Sequence, residues 1–364
     1  MDSDLAGQLE GALRAGADII LGKERELRLA IACLLARGHL LIEDLPGVGK
    51  TTLAHLLARL LGLDYARIQF TSDLLPADII GASVFERAAE RFRFHPGPLF
   101  AELVLADEIN RATPKAQSAL LEAMEERQVT VEGETHPLPE PFFVIATQNP
   151  AFQIGTFPLP ESQLDRFLMR LSIGYPAEAA EKALLAGEDR REMLARLQPA
   201  LGQVEIRALQ QATGQVHAAR PIIDYCYDII AFTRRSPRFL QGLSPRAGLA
   251  LLRAARAWAL LAGRDAVYPE DVQAVLGPCV GHRLEVGSED GTGGGYEAAA
   301  LILDQVPVRC GFASVPSRWM VRPGSCAGPS ISCRRVPAWS LAASSSSCWW
   351  GPSTTRIIWG SSLP

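Results

Sequence analysis

Along residues 5–37, leucines, alanines and charged residues recur at helical spacing, which predicts two helices broken near Gly22. From 38 to 175 the pattern changes. Short apolar runs, HLLIED (39–44), ARIQF (66–70), ELVLADE (102–108), FFVIATQ (142–148) and LMRLSIGY (168–175), alternate with helical stretches, the clearest at about 50–62 and 114–127. Such alternation predicts an α/β fold, a parallel five-stranded sheet with helices on both faces. Two segments break the rhythm. Residues 77–96 read as an insertion with a short helix and a hairpin, and residues 128–138 alternate around Gly133 as a second hairpin just before the fourth strand. From Pro176 to about 284 the pattern is all-helical, its last clear run opening with Pro269 and two acids. The predicted order is N-terminal helices (1–37), an α/β nucleotide-binding core (38–175) and a helical lid (176–309).

After Arg309 the composition changes. Residues 310–364 hold five of the six tryptophans and four of the seven cysteines, with no Asp, Glu or Lys and no clear period. We expect this stretch to be an out-of-frame reading or a cloning artefact, with a natural low-complexity tail as the alternative. The tail also alters the charge balance. The whole chain carries −4, and because the tail adds five arginines and no acid, residues 1–309 carry −9. So acidic a body has no global electrostatic attraction for nucleic acid. With 48% hydrophobic and 21% charged residues the 364-residue chain can build a sizeable core. It has no apolar run of 18 residues, and its acidic N-terminus lacks the features of a signal peptide. The expectation is a cytoplasmic protein without direct membrane insertion. The cysteines fall in no zinc-ligand or disulfide spacing.

The chemistry is concentrated at three strand ends. The first run leads into Asp44-Leu45-Pro46-Gly47-Val48-Gly49-Lys50-Thr51-Thr52, which opens a helix. A triphosphate needs this combination: backbone N–H groups in a tight loop, a helix N-terminus, a lysine and a hydroxyl. Lys50 is expected to reach the β- and γ-phosphates and Thr51 to ligate Mg2+. Asp44 stands where G-x-x-x-x-G-K-[ST] begins with glycine, at a point where no phosphate need touch the side chain. The third run ends in Asp107 and Glu108, fifty-seven and fifty-eight residues after Lys50. Asp107 is expected to hold the metal shell and Glu108 to polarise the attacking water. The fourth ends in Asn149, expected on the strand between the other two and within reach of the γ-phosphate or the water; read locally, Asn-Pro is also a turn.

Taken together, the stretches GHLLIEDLPGVGKTTLA (38–54), FTSDLLPADIIG (70–81), HPGPLFAELVLADEINRATPKAQSALLEAMEERQVTVEG (95–133), FFVIATQNPAFQIGTFPLPESQLDRFLMRLSIGYP (142–176), SPRAGLALLRAARAWALLAGRDAVYPEDV (244–272) and HRL (282–284) resemble the MoxR-type AAA+ ATPases, over about residues 5–309. That resemblance implies an AAA+ P-loop core with a helix-2 insert at 77–96 and a pre-sensor hairpin at 128–138. It makes Arg166 in LDRF an arginine finger offered to a neighbouring subunit's ATP, and Arg246 in SPRA a lid arginine contacting the γ-phosphate in cis or in trans. An arginine finger in trans implies a ring, expected to be a hexamer. The resemblance further implies chaperone-like remodelling alongside von Willebrand factor A-type proteins. Two other functions stand beside this one: a nucleic-acid motor, against which the −9 body and the Glu132 and Glu134 of the second hairpin argue, and an ATP-gated scaffold with little turnover.

Overall fold

The computed structural model describes residues 3–45, 47–87, 90–149, 157, 159–187, 190–286 and 295–308. The chain divides into two compact units, Met1–Ala313 and Ser314–Pro364. The second unit, with nearly all of the tail expected to be out of frame, lies outside the described residues, as does Pro46 of the glycine-rich loop.

Two helices lead in, α1 (Ser3–Ile19) and α2 (Glu24–Leu35), and the turn between them contains Gly22 at φ +70°. On α2, Leu27, Ile31, Leu34 and Leu35 repeat at i, i+4, i+7 and i+8 and are all buried. The core follows as β1 (Leu40–Glu43), α3 (Lys50–Leu60), β2 (Tyr65–Gln69), α4 (Pro76–Ile80), β3 (Gly81–Glu86), β4 (Arg91–Pro96), β5 (Leu103–Asp107), α5 (Pro114–Glu126), β6 (Gln128–Val131), β7 (Glu134–Pro137), β8 (Phe143–Gln148), α6 (Glu161–Leu164) and β9 (Met169–Leu171). Strands β2-β5-β8-β1-β9 form the five-stranded sheet in that order, every pair parallel.

The apolar runs are continuous because the sheet is covered on both faces. Leu40, Ile42, Leu103, Leu105, Phe143 and Ile145 point into a core shared with α1, α2, α3 and the lid. Their strand neighbours Leu41, Val104, Ala106, Val144 and Ala146 point into a second core with Ile79 of α4 and Leu120, Leu121 and Met124 of α5.

The 77–96 insertion is a short helix followed by the antiparallel hairpin β3–β4, and 128–138 is the hairpin β6–β7. The two hairpins touch: the rings of Phe94 and His136 stack 4.1 Å apart.

The lid comprises α7 (Glu178–Ala186), α8 (Arg190–Arg196), α9 (Gln203–Gln215), α10 (Arg220–Arg235), α11 (Pro245–Leu261), α12 (Pro269–Val280) and α13 (Gly295–Gln305). Helix α11 is capped by Ser244, whose Oγ accepts the Ala247 N–H at 3.1 Å, and α12 opens with the expected Pro269, Glu270 and Asp271. Among the described residues no helix is long and apolar enough to cross a membrane. One element departs from expectation: the last strand ends at Leu171, although the apolar pattern runs on to Tyr175. Residues 172–175 leave the ladder because their polar groups are engaged elsewhere, by Asp44 and Lys23.

Candidate functional site

Strand β1 hands the chain to Asp44 and the glycine-rich loop, and α3 starts at Lys50. Gly47 and Gly49 have φ of +86° and +96°, a backbone region that side-chain-bearing residues rarely adopt, and among the described residues nothing beyond the immediate chain neighbours lies within 4 Å of where a Cβ on either would sit. That open space lies against the N-terminus of α3, whose N-cap, Gly49, has no side chain with which to cap it. Lys50 is buried, and its Nζ donates to Asp44 O (2.7 Å), Asn149 Oδ1 (3.1 Å) and Gln148 O (3.3 Å). Burial pushes its ammonium below the ordinary value, against the opposing pull of Asp44, Asp107, Glu108 and Glu43. Thr51 and Thr52 follow, half-buried, on the first turn of α3, and Leu45 and Val48 flank the glycines.

Asp107 ends β5. Its Oδ1 accepts from Thr147 Oγ1 (2.6 Å) and its Oδ2 from Arg67 (2.6 Å). Glu108, next in the chain, sits in the left-handed region at φ 57°, ψ 47°, an uncommon conformation for a residue with a side chain. That turn aims its carboxylate back over the sheet edge, where it accepts from Asn149 Nδ2 (3.2 Å) and Gln69 Nε2 (3.3 Å) and pairs with Arg111 (3.1 Å). Its N–H donates to Thr147 Oγ1 at 2.9 Å. Asn149 is buried one residue beyond β8, which runs between β1 and β5 as expected. Its side chain therefore bridges Lys50 and Glu108, and its own carbonyl accepts from Asn110 Nδ2 at 3.0 Å. The three predicted segments thus meet at the carboxyl ends of three adjacent strands, where open α/β sheets bind ligands.

The donor set fits a hard cation. Asp107 offers a carboxylate that already holds a positive partner, Arg67, and Thr51 offers a hydroxyl. Among the described residues no group of three or more His, Cys, Asp or Glu could hold an ion by itself. A magnesium ion there would draw its other ligands from phosphate and water, as that ion ordinarily does.

Beside Gly47, Val48 and Gly49 opens a pocket of about 400 Å³ walled by Ile19, Ile20, Leu53, Ile173, Tyr175 and Leu185. Its size and apolar lining suit a flat heteroaromatic ring attached to whatever the loop binds.

Comparison with known proteins agrees with this geometry. The family model described as "ATPase family associated with various cellular activities (AAA)" matches residues 39–169, and the AAA lid domain model matches 231–301. The protein YeaC of Bacillus subtilis is 46% identical over 266 residues, covering 73% of this chain and 83% of its own. Chaperone MoxR1 of Mycobacterium tuberculosis is 39% identical over 292 residues, covering 76% and 75%. The chain belongs to the MoxR-type AAA+ ATPases. A crystal structure from Cytophaga hutchinsonii superposes with a TM-score of 0.75 at 32% identity, covering 84% of this chain and 96% of that one.

In this MoxR-type ATPase the two arginines singled out by sequence lie together, away from the glycine-rich loop. Arg166 precedes β9, whose first residue, Met169, is in register with Leu40, the first residue of β1. It therefore lies at the amino edge of the sheet, opposite the loop. Glu125 near the end of α5 pairs with Arg166 (3.1 Å) through one oxygen and with Arg246 (3.2 Å) through the other. These three residues line a small pocket of about 140 Å³ with Arg37, Arg127 and Arg253, so positive charge there is only partly offset. Arg283, from the lid, has a nearly buried side chain that holds this segment: it donates to Asp165 Oδ1 (2.6 Å), Phe167 O (2.6 Å) and Leu168 O (3.2 Å).

Sequence reading missed Arg67, Gln69 and Thr147, which grip the acidic pair, and Arg283. Gln69 and Thr147 sit at or beside strand ends and Arg67 mid-strand on β2, all within runs read only for their apolar pattern; their polar side chains were the available signal. For Arg283 it was the HRL match.

Proposed function

We propose that ATP lies across the carboxyl edge of the sheet and that turnover, in a ring of subunits in the cytoplasm, drives remodelling or maturation of partner proteins. The phosphates lie over Gly47 to Thr51 and are gripped by Lys50 and the N–H groups of α3, and the adenine enters the apolar pocket beside Val48. Magnesium held near Thr51 and Asp107 would supply charge neutralisation between the phosphate oxygens. Glu108 orients water and accepts its proton, and Asn149 holds Glu108 and Lys50 in a fixed relation, so the base and the phosphate grip are set by one side chain.

The ring rests on one observation above all. Arg166 and Arg246 share Glu125 at the sheet edge opposite the loop, so neither is disposed toward the nucleotide of its own chain. An arginine-lined pocket is suited to a polyanion, and the γ-phosphate of an adjacent subunit satisfies that demand. Both arginines then act in trans, and Glu125 is their resting partner between encounters. Von Willebrand factor A-type proteins are the partner class proposed from the family likeness. Nucleic acid is not proposed: residues 1–309 carry −9, and the hairpin β6–β7 turns through exposed Glu132 and Glu134.

A mixing experiment tests the trans arrangement. Arg166→Ala and Glu108→Gln are each expected to hydrolyse ATP poorly. In a mixed ring some interfaces join an intact Glu108 to an intact Arg166, so an equimolar mixture regains roughly a quarter of wild-type turnover on random assembly. A mixture no more active than the two variants assayed separately rules the ring reading out.

A further inference from the structure

The Asp44 carboxylate is fully engaged, and by a segment far along the chain. Its Oδ2 accepts the Gly174 N–H (2.6 Å) and the Ser172 hydroxyl (3.0 Å), while Oδ1 accepts the Leu45 N–H (2.8 Å). The carbonyl of the same residue accepts from Lys50 Nζ (2.7 Å). From the other side, Lys23 Nζ donates to the carbonyls of Ile173 and Tyr175. Four consecutive residues, 172–175, are therefore hooked in alternation by an acid from the loop and a base from the turn before α2. This segment joins β9 to α7, the first helix of the lid, and Ile173, Gly174 and Tyr175 also wall the pocket beside the loop. A glycine at position 44, the usual residue there, could make none of the three carboxylate contacts.

We propose that Asp44 is a positioning residue that couples occupancy of the glycine-rich loop to the lid. The inference rests on the reading that ATP phosphates occupy that loop. When Lys50 turns from the Asp44 carbonyl to a phosphate, the residue that loses its lysine is the one whose carboxylate holds 172–175. A shift of Asp44 moves the Gly174 amide and Ser172 directly, and with them the start of α7. Lys23 keeps the opposite side of the segment fixed, so that the movement becomes a tilt of the lid helices.

Hydrogen exchange on the full chain, with and without ADP or a slowly hydrolysed ATP analogue, tests this together with steady-state kinetics of Asp44→Gly. In the wild type, nucleotide is expected to slow exchange in both the loop (47–53) and the linker with α7 (172–186). In Asp44→Gly, loop protection persists while nucleotide-dependent protection of 172–186 is lost, and kcat falls about tenfold with KM changed less than about threefold. Lys23→Met is expected to lose the same linker protection. The substitution puts the more usual residue into the loop, and an unchanged unfolding midpoint shows that the fold is kept. Wild-type protection of 172–186 and wild-type kcat in Asp44→Gly would overturn the coupling while leaving the nucleotide reading intact. Absence of loop protection in the wild type itself would overturn both.

Discussion

At the scale of single residues, the site is a short chain of polar contacts, Lys50 to Asn149 to Glu108, closed by Gln69 and Thr147. Because Glu108 alone among these is disposed to take a proton from water, Glu108→Gln is expected to keep ATP affinity and lower turnover by about 10²- to 10⁴-fold, measured as phosphate release. Undiminished turnover would show that water is activated elsewhere, and a wild type with no turnover to lose would return the chain to the scaffold reading. A second residue sets a pH limit. His39 is buried at the foot of β1, its Nδ1 accepting the Val144 N–H (3.0 Å) and its Nε2 donating to Met124 O (3.3 Å). Burial lowers its pKa from 6.5 to about 4. The neutral ring is the folded form, so the unfolded chain takes up the proton first. The stabilisation is complete above pH 6.5 and is lost as the pH falls toward 4, worth about 3 kcal/mol across that window. Denaturant titrations of wild type and His39→Gln at pH 7 and pH 5 check this: the wild type loses more stability between the two than the variant does.

At the scale of elements, the central strands β5, β8 and β1 were legible because a sheet buried on both faces writes near-continuous apolar runs. The edge strands β2 and β9 were legible from shorter runs broken by Arg67, Gln69 and Arg170. The two hairpins were legible from their polarity alternation. What was not legible depends on contacts across long stretches of chain. The strand expected over 168–175 stops at Leu171, because Asp44 and Lys23, more than 120 residues away in sequence, take the hydrogen-bonding groups of 172–175. Asp44 read as a tolerated change at the loop's start; its partner at Gly174 could not be found from spacing. Arg283 likewise gave no local sign that it fastens the lid to the LDRF segment. Its side chain is only 5% exposed, so Arg283→Ala removes the buried donor shared by the Asp165 carboxylate and the carbonyls of Asp165, Phe167, Leu168 and Cys279. The expected loss is about 3–5 kcal/mol of unfolding free energy, read from chemical denaturation, and Arg283→Lys recovers only part because it lacks the planar fork.

At the scale of the whole molecule, the two edges of one sheet are proposed to carry complementary halves of a reaction centre. The carboxyl edge holds a loop, an acid pair and an asparagine; the amino edge holds Arg166 and Arg246 around Glu125. Head-to-tail contact between copies would join them, which is how a closed ring is generated from identical subunits. The lid belongs to the same arrangement, since it contributes Arg246 to one edge and, through Leu184 and Leu185 of α7, part of the pocket wall at the other. The direct test of this account is a calorimetric titration of the wild type and Lys50→Ala with ATP and magnesium. Saturable binding by the wild type, weakened about 30-fold (roughly 2 kcal/mol) in Lys50→Ala, is the predicted result. Equal affinity in the two proteins, or no binding by the wild type at millimolar nucleotide, would contradict it.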